Sequence, residues 1–296
     1  MDMTKVSSLT DNQAAGILPM AVQNYLGEVK SIEKLPNLFE DSTHAIWRLQ
    51  TQDHCYALKK CPAHLHEIKT AVFWRGVRHL WGLDLPNQLG DFAEVYAFLS
   101  TYSGLQVPPL IMAQSSDGIH EGWLLNRWMP GLEIKAASPK LIAQLANHLA
   151  SLHSQTQPYF GSLMGEQFPL STFGNKVLET LELIASTQSS SLKLTNDEVK
   201  SLQNWCPQVS VPVMLDLRWD QFLQSQQGDL TTLVDCDAFV WAPRELVLIQ
   251  VYKLILAEDM KYFNPVYFQE TLETDFIEAP LGTALLKLFE SMNCFG

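Results

Sequence analysis

Two short apolar runs in the second half of the chain each end in an aspartate, and this pair constrains the fold more than any other feature. Residues 211–215 precede Asp216, and the Leu-Val of "TLVDCDAF" precedes Asp235. An amide, that of Gln221, follows the first aspartate by five positions. Short apolar runs predict buried strands, and carboxylates at two strand ends can converge on a divalent cation, which prefers oxygen ligands. A turn-capping role is commoner for any single aspartate and stays open for both.

The pattern of the chain changes near residue 130. Before it, "AIWRLQT" (45–51) and "HCYALKK" (54–60) flank a polar turn, as in a β-hairpin, and "VPPLIMA" and "EGWLLNRWM" predict two further strands. After Pro130-Gly131, a hinge signal, helical spacing of apolar residues dominates, with only the two aspartate-ended runs as strands. Helices are predicted at 63–80, 91–104, 138–155, 172–186, 195–205, 244–261 and 281–292. The order predicts an α+β chain with a β-rich part at 1–130 and a helical part at 131–296.

Composition narrows the class of partner. The chain has 296 residues and a net charge of −12, which disfavours binding to nucleic acid or to an anionic membrane surface and mildly favours a cationic small molecule. No stretch approaches the ~20 apolar residues of a membrane span. Nothing after Lys5 resembles a secretion signal, so a cytoplasmic location with five reduced cysteines is expected. The oligomeric state is not indicated.

The spacing of Asp216, Gln221 and Asp235 matches a known division of labour. In phosphoryl transfer one aspartate orients the acceptor hydroxyl, while an amide and a second aspartate hold Mg²⁺. The sequence therefore predicts a metal-assisted transfer of phosphate to a hydroxyl group.

At these residues the chain resembles the aminoglycoside phosphotransferase and choline kinase group, small-molecule kinases with a bilobal protein-kinase-like fold. That group has His-Gly-Asp with Asn five residues after the Asp, then a strand ending in Ile-Asp with another acid two residues on. The segments here read Met214-Leu215-Asp216 with Gln221, and Val234-Asp235-Cys236-Asp237. The segments "YALKK", "FAEVYAFLSTYSGLQVPPLI", "WLLNRWMPG" and "LANHLASLHS" follow the group's order of strand lysine, lysine-pairing helix, interlobe hinge and Leu-His helix. The resemblance runs from about residue 22 to about 255.

The resemblance implies an ATP-dependent phosphotransferase that uses Mg²⁺ and acts on a small, hydroxylated substrate. The implied β-rich lobe at 1–130 binds the nucleotide, and the implied helical lobe at 131–296 carries the catalytic and metal segments. The implied roles are Asp216 as catalytic base or positioner, Lys59 on the phosphates, Glu94 orienting that lysine, Ser42 donating to phosphate, Asn126 and Trp128 framing the adenine, and Gln221, Asp235 and Asp237 on the metal. Two alternatives stay open: Glu67 could replace Glu94, and Asp237 could be a solvated turn acid.

Departures from the group's pattern motivate a second hypothesis. Met214 and Leu215 replace the His-Gly pair, and Gln221 replaces Asn with a longer side chain. The segment "NLFEDSTHAIW", at the position of the phosphate loop, has no glycine. The alternative is a pseudokinase-like protein that binds nucleotide or acts as a scaffold without turnover.

Overall fold

The computed structural model describes residues 16–37, 44–68, 71–187, 193–268 and 275–295. Its strands are β1 (Ser31–Lys34), β2 (Ala45–Gln50), β3 (Cys55–Cys61), β4 (Leu110–Gln114), β5 (Gly122–Arg127), β6 (Leu132–Glu133), β7 (Tyr159–Ser162), β8 (Gln167–Pro169), β9 (Ser210–Met214), β10 (Phe222–Gln224), β11 (Leu230–Leu233) and β12 (Phe239–Pro243). Its α-helices are α1 (Met20–Leu26), α2 (Val72–Trp81), α3 (Leu85–Gln88), α4 (Phe92–Tyr102), α5 (Pro139–Leu152), α6 (Phe173–Thr187), α7 (Asn196–Asn204), α8 (Glu245–Leu254), α9 (Met260–Tyr267), α10 (Asp275–Glu278) and α11 (Pro280–Ser291). Short 3-10 helices lie at Leu65–Glu67, Leu89–Asp91, Leu170–Thr172, Trp219–Gln221 and Ala257–Asp259. In these ranges no helix has the length and apolar character that a membrane crossing requires.

The chain forms two compact units. The first comprises the described residues up to Leu65, together with Pro86–Ala93 and Pro108–Met129. The second comprises His66–Leu85, Glu94–Val107 and the described residues from Pro130 onward. The assignment of nucleotide binding to 1–130 and of catalysis to 131–296 stays a prediction.

The first unit is built on one antiparallel sheet with the strand order β1-β2-β3-β5-β4. The predicted hairpin is confirmed, because β2 and β3 pair in register from Ala45 opposite Lys60 to Gln50 opposite Cys55. Helix α1 contributes to the core on one face of this sheet. That core contains Leu18, Val22, Ile32, Leu49, Tyr56, Leu58, Trp123 and Leu125. Because alternate residues of β3, Tyr56 and Leu58, point into this core, Lys59 lies on the opposite face of the sheet.

The second unit contains two small sheets, with strand orders β8-β7-β12-β9 and β11-β10-β6. Every residue of β9 and β12 is buried; β12 is an inner strand of the first of these sheets, and β9 pairs with it as the last strand in the order. Opposite Gln167 of β8, strand β7 requires a glycine at position 161. Its φ is 145°, and a Cβ there would lie 2.0 Å from the Glu166 carbonyl oxygen.

Local sequence explains where the helices begin. The Ser138 side chain accepts from the backbone N–H of Leu141, and proline occupies the first position of α5. Thr195 and Glu198 form a capping box at the start of α7. Each helix then buries one apolar face, as the leucines of α5 do.

The fold class is confirmed: the chain has a kinase-like α+β fold with an antiparallel sheet in its first part and mostly helices in its second. Two details of the second part were wrong. Its described residues form seven strands, β6 to β12, rather than two. The single helix expected at 244–261 is two helices, because α8 ends at Leu254, Ile255 is extended and α9 begins at Met260. The helix expected at 63–80 begins only at Val72.

Candidate functional site

Asp216 lies immediately beyond the buried strand β9. The backbone N–H of Leu215 donates to the carbonyl of Ala238 at 2.9 Å, which extends the pairing of β9 with β12 up to the aspartate. The chain then turns through the 3-10 helix Trp219–Gln221. Because a fully buried strand leads to it, the Asp216 side chain is fixed at its base and only 17% exposed.

Gln221 turns its side chain back onto Asp216. Its Nε2 donates to Asp216 Oδ2 at 2.8 Å, and the residue is only 5% exposed. This contact uses the amide nitrogen, so the amide oxygen Oε1 is the Gln221 atom that could coordinate a cation. The loop makes one turn between Asp216 and Gln221, and this turn brings the two side chains, five residues apart in the sequence, into contact.

The segment of Asp235 and Asp237 lies beside the same loop. Beyond β11, the N–H of Val234 donates to the carbonyl of Gln221 at 2.9 Å. Asp235 Oδ1 accepts from the N–H of Asp237 at 3.2 Å, and Asp237 is buried. The structure thus places the segment of Asp235 and Asp237 beside the loop of Asp216 and Gln221, and the catalytic and metal roles of these four residues stay predictions.

The donor set of these residues fits a hard divalent cation. It offers carboxylate oxygens from Asp235 and Asp237 and an amide oxygen from Gln221, the ligand types that Mg²⁺ prefers. The part of the chain that the structure describes has no group of three or more His, Cys, Asp or Glu side chains arranged to hold a metal ion. A cation here would therefore rest on two carboxylates, one amide and groups supplied by the substrate.

Arg218, which the sequence analysis did not single out, is a charged member of the site. It makes two bonds to Asp220, from Nε to Oδ1 at 3.0 Å and from Nη2 to Oδ2 at 3.1 Å. Its Nη1 also lies 3.5 Å from Asp216 Oδ2. Burial alone would lower the pKa of Arg218, but the hydrogen bond to Asp220 and the charges of the surrounding aspartates, Asp235 included, raise it. The guanidinium is thus a permanent positive charge among carboxylates.

Two buried side chains bond to backbone carbonyls of β9, and the sequence predicted neither contact. Gln250 of α8 is 2% exposed and donates from Nε2 to the carbonyl of Met214 at 2.7 Å. His153, at the end of α5, bonds through Nε2 to the carbonyl of Pro212 at 3.0 Å and through Nδ1 to the Tyr267 hydroxyl. Because carbonyl oxygens only accept, Nε2 carries the proton and Nδ1 accepts from Tyr267. The strand that presents Asp216 is thereby fixed at two carbonyls.

The first unit carries three of the predicted nucleotide residues. Lys59 of β3 pairs with Leu124 and Asn126 of β5 pairs with Ala57, so Lys59 and Asn126 share one face of the sheet. Lys60 lies on the opposite face, where its Nζ pairs with Glu121 at 2.5 Å and lies over the Trp47 ring. Neighbouring residues of a strand face opposite sides of the sheet, so one lysine of the pair lies on each face.

Trp128 and Asn126 differ in their surroundings. Asn126 is buried, at 6% exposure. Trp128 is half-buried, its N–H donates to the carbonyl of Cys55 at 3.0 Å, and its ring lies beneath the Arg48 guanidinium at 4.9 Å. The stacked guanidinium of Arg48 helps to hold the Trp128 ring in one orientation.

The remaining predicted residues are less constrained. Glu94 is an exposed residue in the first turn of α4, and Glu67 is an exposed residue in a 3-10 helix rather than in an α-helix. Which of the two pairs with Lys59 stays a prediction. Ser42 and the neighbouring Thr43 lie outside the described residues.

Several solved structures share this fold. The choline kinase LicA from Streptococcus pneumoniae matches with a TM-score of 0.58 at 15% identity, over 95% of this chain and 91% of that one. A thermostable mutant of the aminoglycoside phosphotransferase APH(4)-Ia, in ternary complex with AMP-PNP and hygromycin B, matches with a TM-score of 0.59 at 14% identity, over 92% and 89%. The chain has the fold of aminoglycoside phosphotransferases and choline kinases. The GDP and kanamycin complex of APH(2")-IIia also matches, with a TM-score of 0.57 at 12% identity over 92% and 88%.

The kinase-like fold accounts for the motif order found in the sequence. The resemblance inferred from the ordered motifs is confirmed at the level of the fold. No family model matches the chain, and no curated protein matches it by sequence.

Proposed function

We propose that the chain is an ATP-dependent phosphotransferase that transfers the terminal phosphoryl group of ATP to a hydroxyl of a small molecule. The observation that carries the proposal is the geometry of residues 216–221, called the catalytic loop below. In this loop Gln221 Nε2 donates to Asp216 Oδ2 at 2.8 Å, beside the segment of Asp235 and Asp237. Similar solved structures hold nucleotides or nucleotide analogues together with small molecules, namely AMP-PNP with hygromycin B and GDP with kanamycin. The acidic chain favours a cationic acceptor.

Asp216 is proposed to orient the acceptor hydroxyl and to take its proton. The Gln221 amide and the Arg218 guanidinium both approach Oδ2. These contacts hold the carboxylate in one orientation, which lowers the entropic cost of aligning a nucleophile. The proton from the hydroxyl passes to an oxygen of Asp216 as the hydroxyl oxygen bonds to the γ-phosphorus, while the bond from that phosphorus to the β–γ bridging oxygen breaks and ADP leaves.

Gln221, Asp235 and Asp237 are proposed to hold Mg²⁺, and Lys59 to bind the nucleotide phosphates with Glu94 as its orienting partner. A bound Mg²⁺ would neutralise the charge of the phosphates. Asp235 is positioned for this role by its bond with the N–H of Asp237, which fixes the direction of its carboxylate. Asn126 and Trp128 are proposed to frame the adenine, and Ser42 to donate to phosphate.

Calorimetric titration with ATP tests the nucleotide part of the proposal. Wild-type protein should bind ATP with Mg²⁺ at least about tenfold more tightly than without it, because Mg²⁺ held by the carboxylates would offset the negative charge of the phosphates. Asp235→Ala should remove this magnesium dependence. The matched variant Asp229→Ala, on the turn after β10 and paired with Lys140 at 2.6 Å, should retain it. Absence of binding up to millimolar ATP would refute the proposal and favour a scaffold role.

Gln250 should act on turnover through the position of Asp216. In Gln250→Leu the buried carbonyl of Met214 loses its donor, so the strand end before Asp216 is no longer fixed. We expect kcat to fall about tenfold with KM for ATP nearly unchanged. Gln144→Leu is the control, since Gln144 is likewise a hydrogen-bonded glutamine of the second unit, but its partners are Asp229 and Leu230. Equal losses of kcat in the two variants would show a merely structural effect.

A further inference from the structure

The loop that carries Asp216 also holds a positive charge of its own. Arg218 is anchored by two parallel bonds to Asp220, a geometry that fixes the plane of its guanidinium. Its third nitrogen, Nη1, is directed to Asp216 Oδ2 at 3.5 Å. The side chain is only 24% exposed, so water screens this charge less than at an open surface.

One of the carboxylates that act on Arg218, that of Asp235, is also proposed to hold a divalent cation. The negative charges of Asp216 and Asp235 both act on Arg218. Asp216 lies within the loop, and Asp235 follows Val234, whose N–H donates to the Gln221 carbonyl of that loop at 2.9 Å. A cation at Gln221 and Asp235 would therefore meet the guanidinium as a like charge. Like charges in a partly desolvated site weaken binding of the second cation.

We propose that Arg218 is a tethered counter-cation of the catalytic loop, which keeps Asp216 ion-paired in the absence of metal and weakens binding of a divalent cation to Gln221, Asp235 and Asp237. The inference rests on the proposed phosphotransferase site and adds to it a residue that sets its metal affinity. Metal would then bind strongly only when it arrives with the negative charge of a nucleotide. For this reason the protein would bind the free divalent cation weakly and the complex of cation and nucleotide more tightly.

The test measures metal binding rather than activity. Mn²⁺, a hard divalent cation of the class that oxygen ligands bind, is titrated alone into the whole protein, and free Mn²⁺ is followed by electron paramagnetic resonance. Arg218→Gln removes the charge and should tighten the dissociation constant about tenfold. Arg218→Met, which keeps an unbranched stem, is measured in parallel in case one variant fails to fold. Arg218→Lys keeps the charge and should bind Mn²⁺ as the wild type does.

Arg78→Gln is the matched control, because Arg78 also pairs with an aspartate, Asp84 at 3.3 Å, but on α2. It should leave Mn²⁺ binding unchanged. Equal affinity in the wild type and in both neutral Arg218 variants would overturn the role of Arg218 while leaving the phosphotransferase proposal intact. If neither the wild type nor any variant binds Mn²⁺, alone or with ATP, the metal site is wrong and both proposals fall.

Discussion

Asp216→Asn should lower kcat for phosphate transfer about 10³-fold, while the affinity for ATP stays within about threefold of wild type. The substitution keeps the size of the side chain and a hydrogen-bonding oxygen for Gln221, so the loop should keep its shape. It removes the base that accepts the hydroxyl proton. Initial rates with a panel of hydroxylated acceptors, aminoglycosides and choline among them, measure kcat, and calorimetry measures ATP affinity.

Asp229→Asn provides the comparison for Asp216→Asn. Asp229 is likewise an ion-paired aspartate in a loop of the second unit, held by Lys140 and Gln144, and its replacement should leave kcat unchanged. Wild-type turnover that Asp216→Asn does not reduce would refute the catalytic role of Asp216. Tight ATP binding without turnover on any acceptor would instead favour the pseudokinase alternative.

The sequence predicted the sheet of the first unit well because its strands show their pattern locally. The β2–β3 hairpin alternates apolar and polar residues on either side of a polar turn, so both the strands and the face carrying Lys59 follow from period two. The contact between Gln221 and Asp216 was predictable for a similar reason. Only five residues separate them, and one turn of chain brings them together.

The small sheets of the second unit were missed because their strands show little pattern. The strands β7 and β12 have four and five residues, and β12 is buried throughout, so neither shows alternation. The break between α8 and α9 was missed because apolar residues continue through Ile255 and Leu256 without a glycine or proline. Short buried runs are stabilised by their sheet partners, which a single sequence does not contain.

The supporting residues of the site could not be found because their roles are tertiary. Gln250 lies 36 positions after the carbonyl to which it donates, and His153 lies 59 positions before its own. Arg218, two residues after Asp216, was the one that local sequence could have signalled. A basic side chain that close to a proposed catalytic carboxylate is in reach of it whatever the rest of the fold.

Buried histidines give the second unit a dependence on pH. Burial, with Arg244 and His148 as lesser causes, lowers the pKa of His153 to about 3. Burial also lowers the pKa of His148 to about 4, although its bond to the Ser103 carbonyl opposes this. Both side chains are neutral in the folded protein at neutral pH. In the unfolded chain they would take up protons near pH 6.5.

The free energy of unfolding should therefore fall as the pH falls below 6.5, because the unfolded chain binds protons that the folded one excludes. From pH 7 to 5 each histidine contributes a loss of about 2 kcal/mol. Glu245, whose pKa burial raises, acts in the opposite direction but is common to every variant.

His153→Gln should be less stable at pH 7 and should lose about 2 kcal/mol less than wild type between pH 7 and 5, as measured by urea unfolding. His120→Gln, on an exposed turn, should lose as much as wild type. If His153→Gln lost as much too, His153 would be able to take up a proton in the folded state.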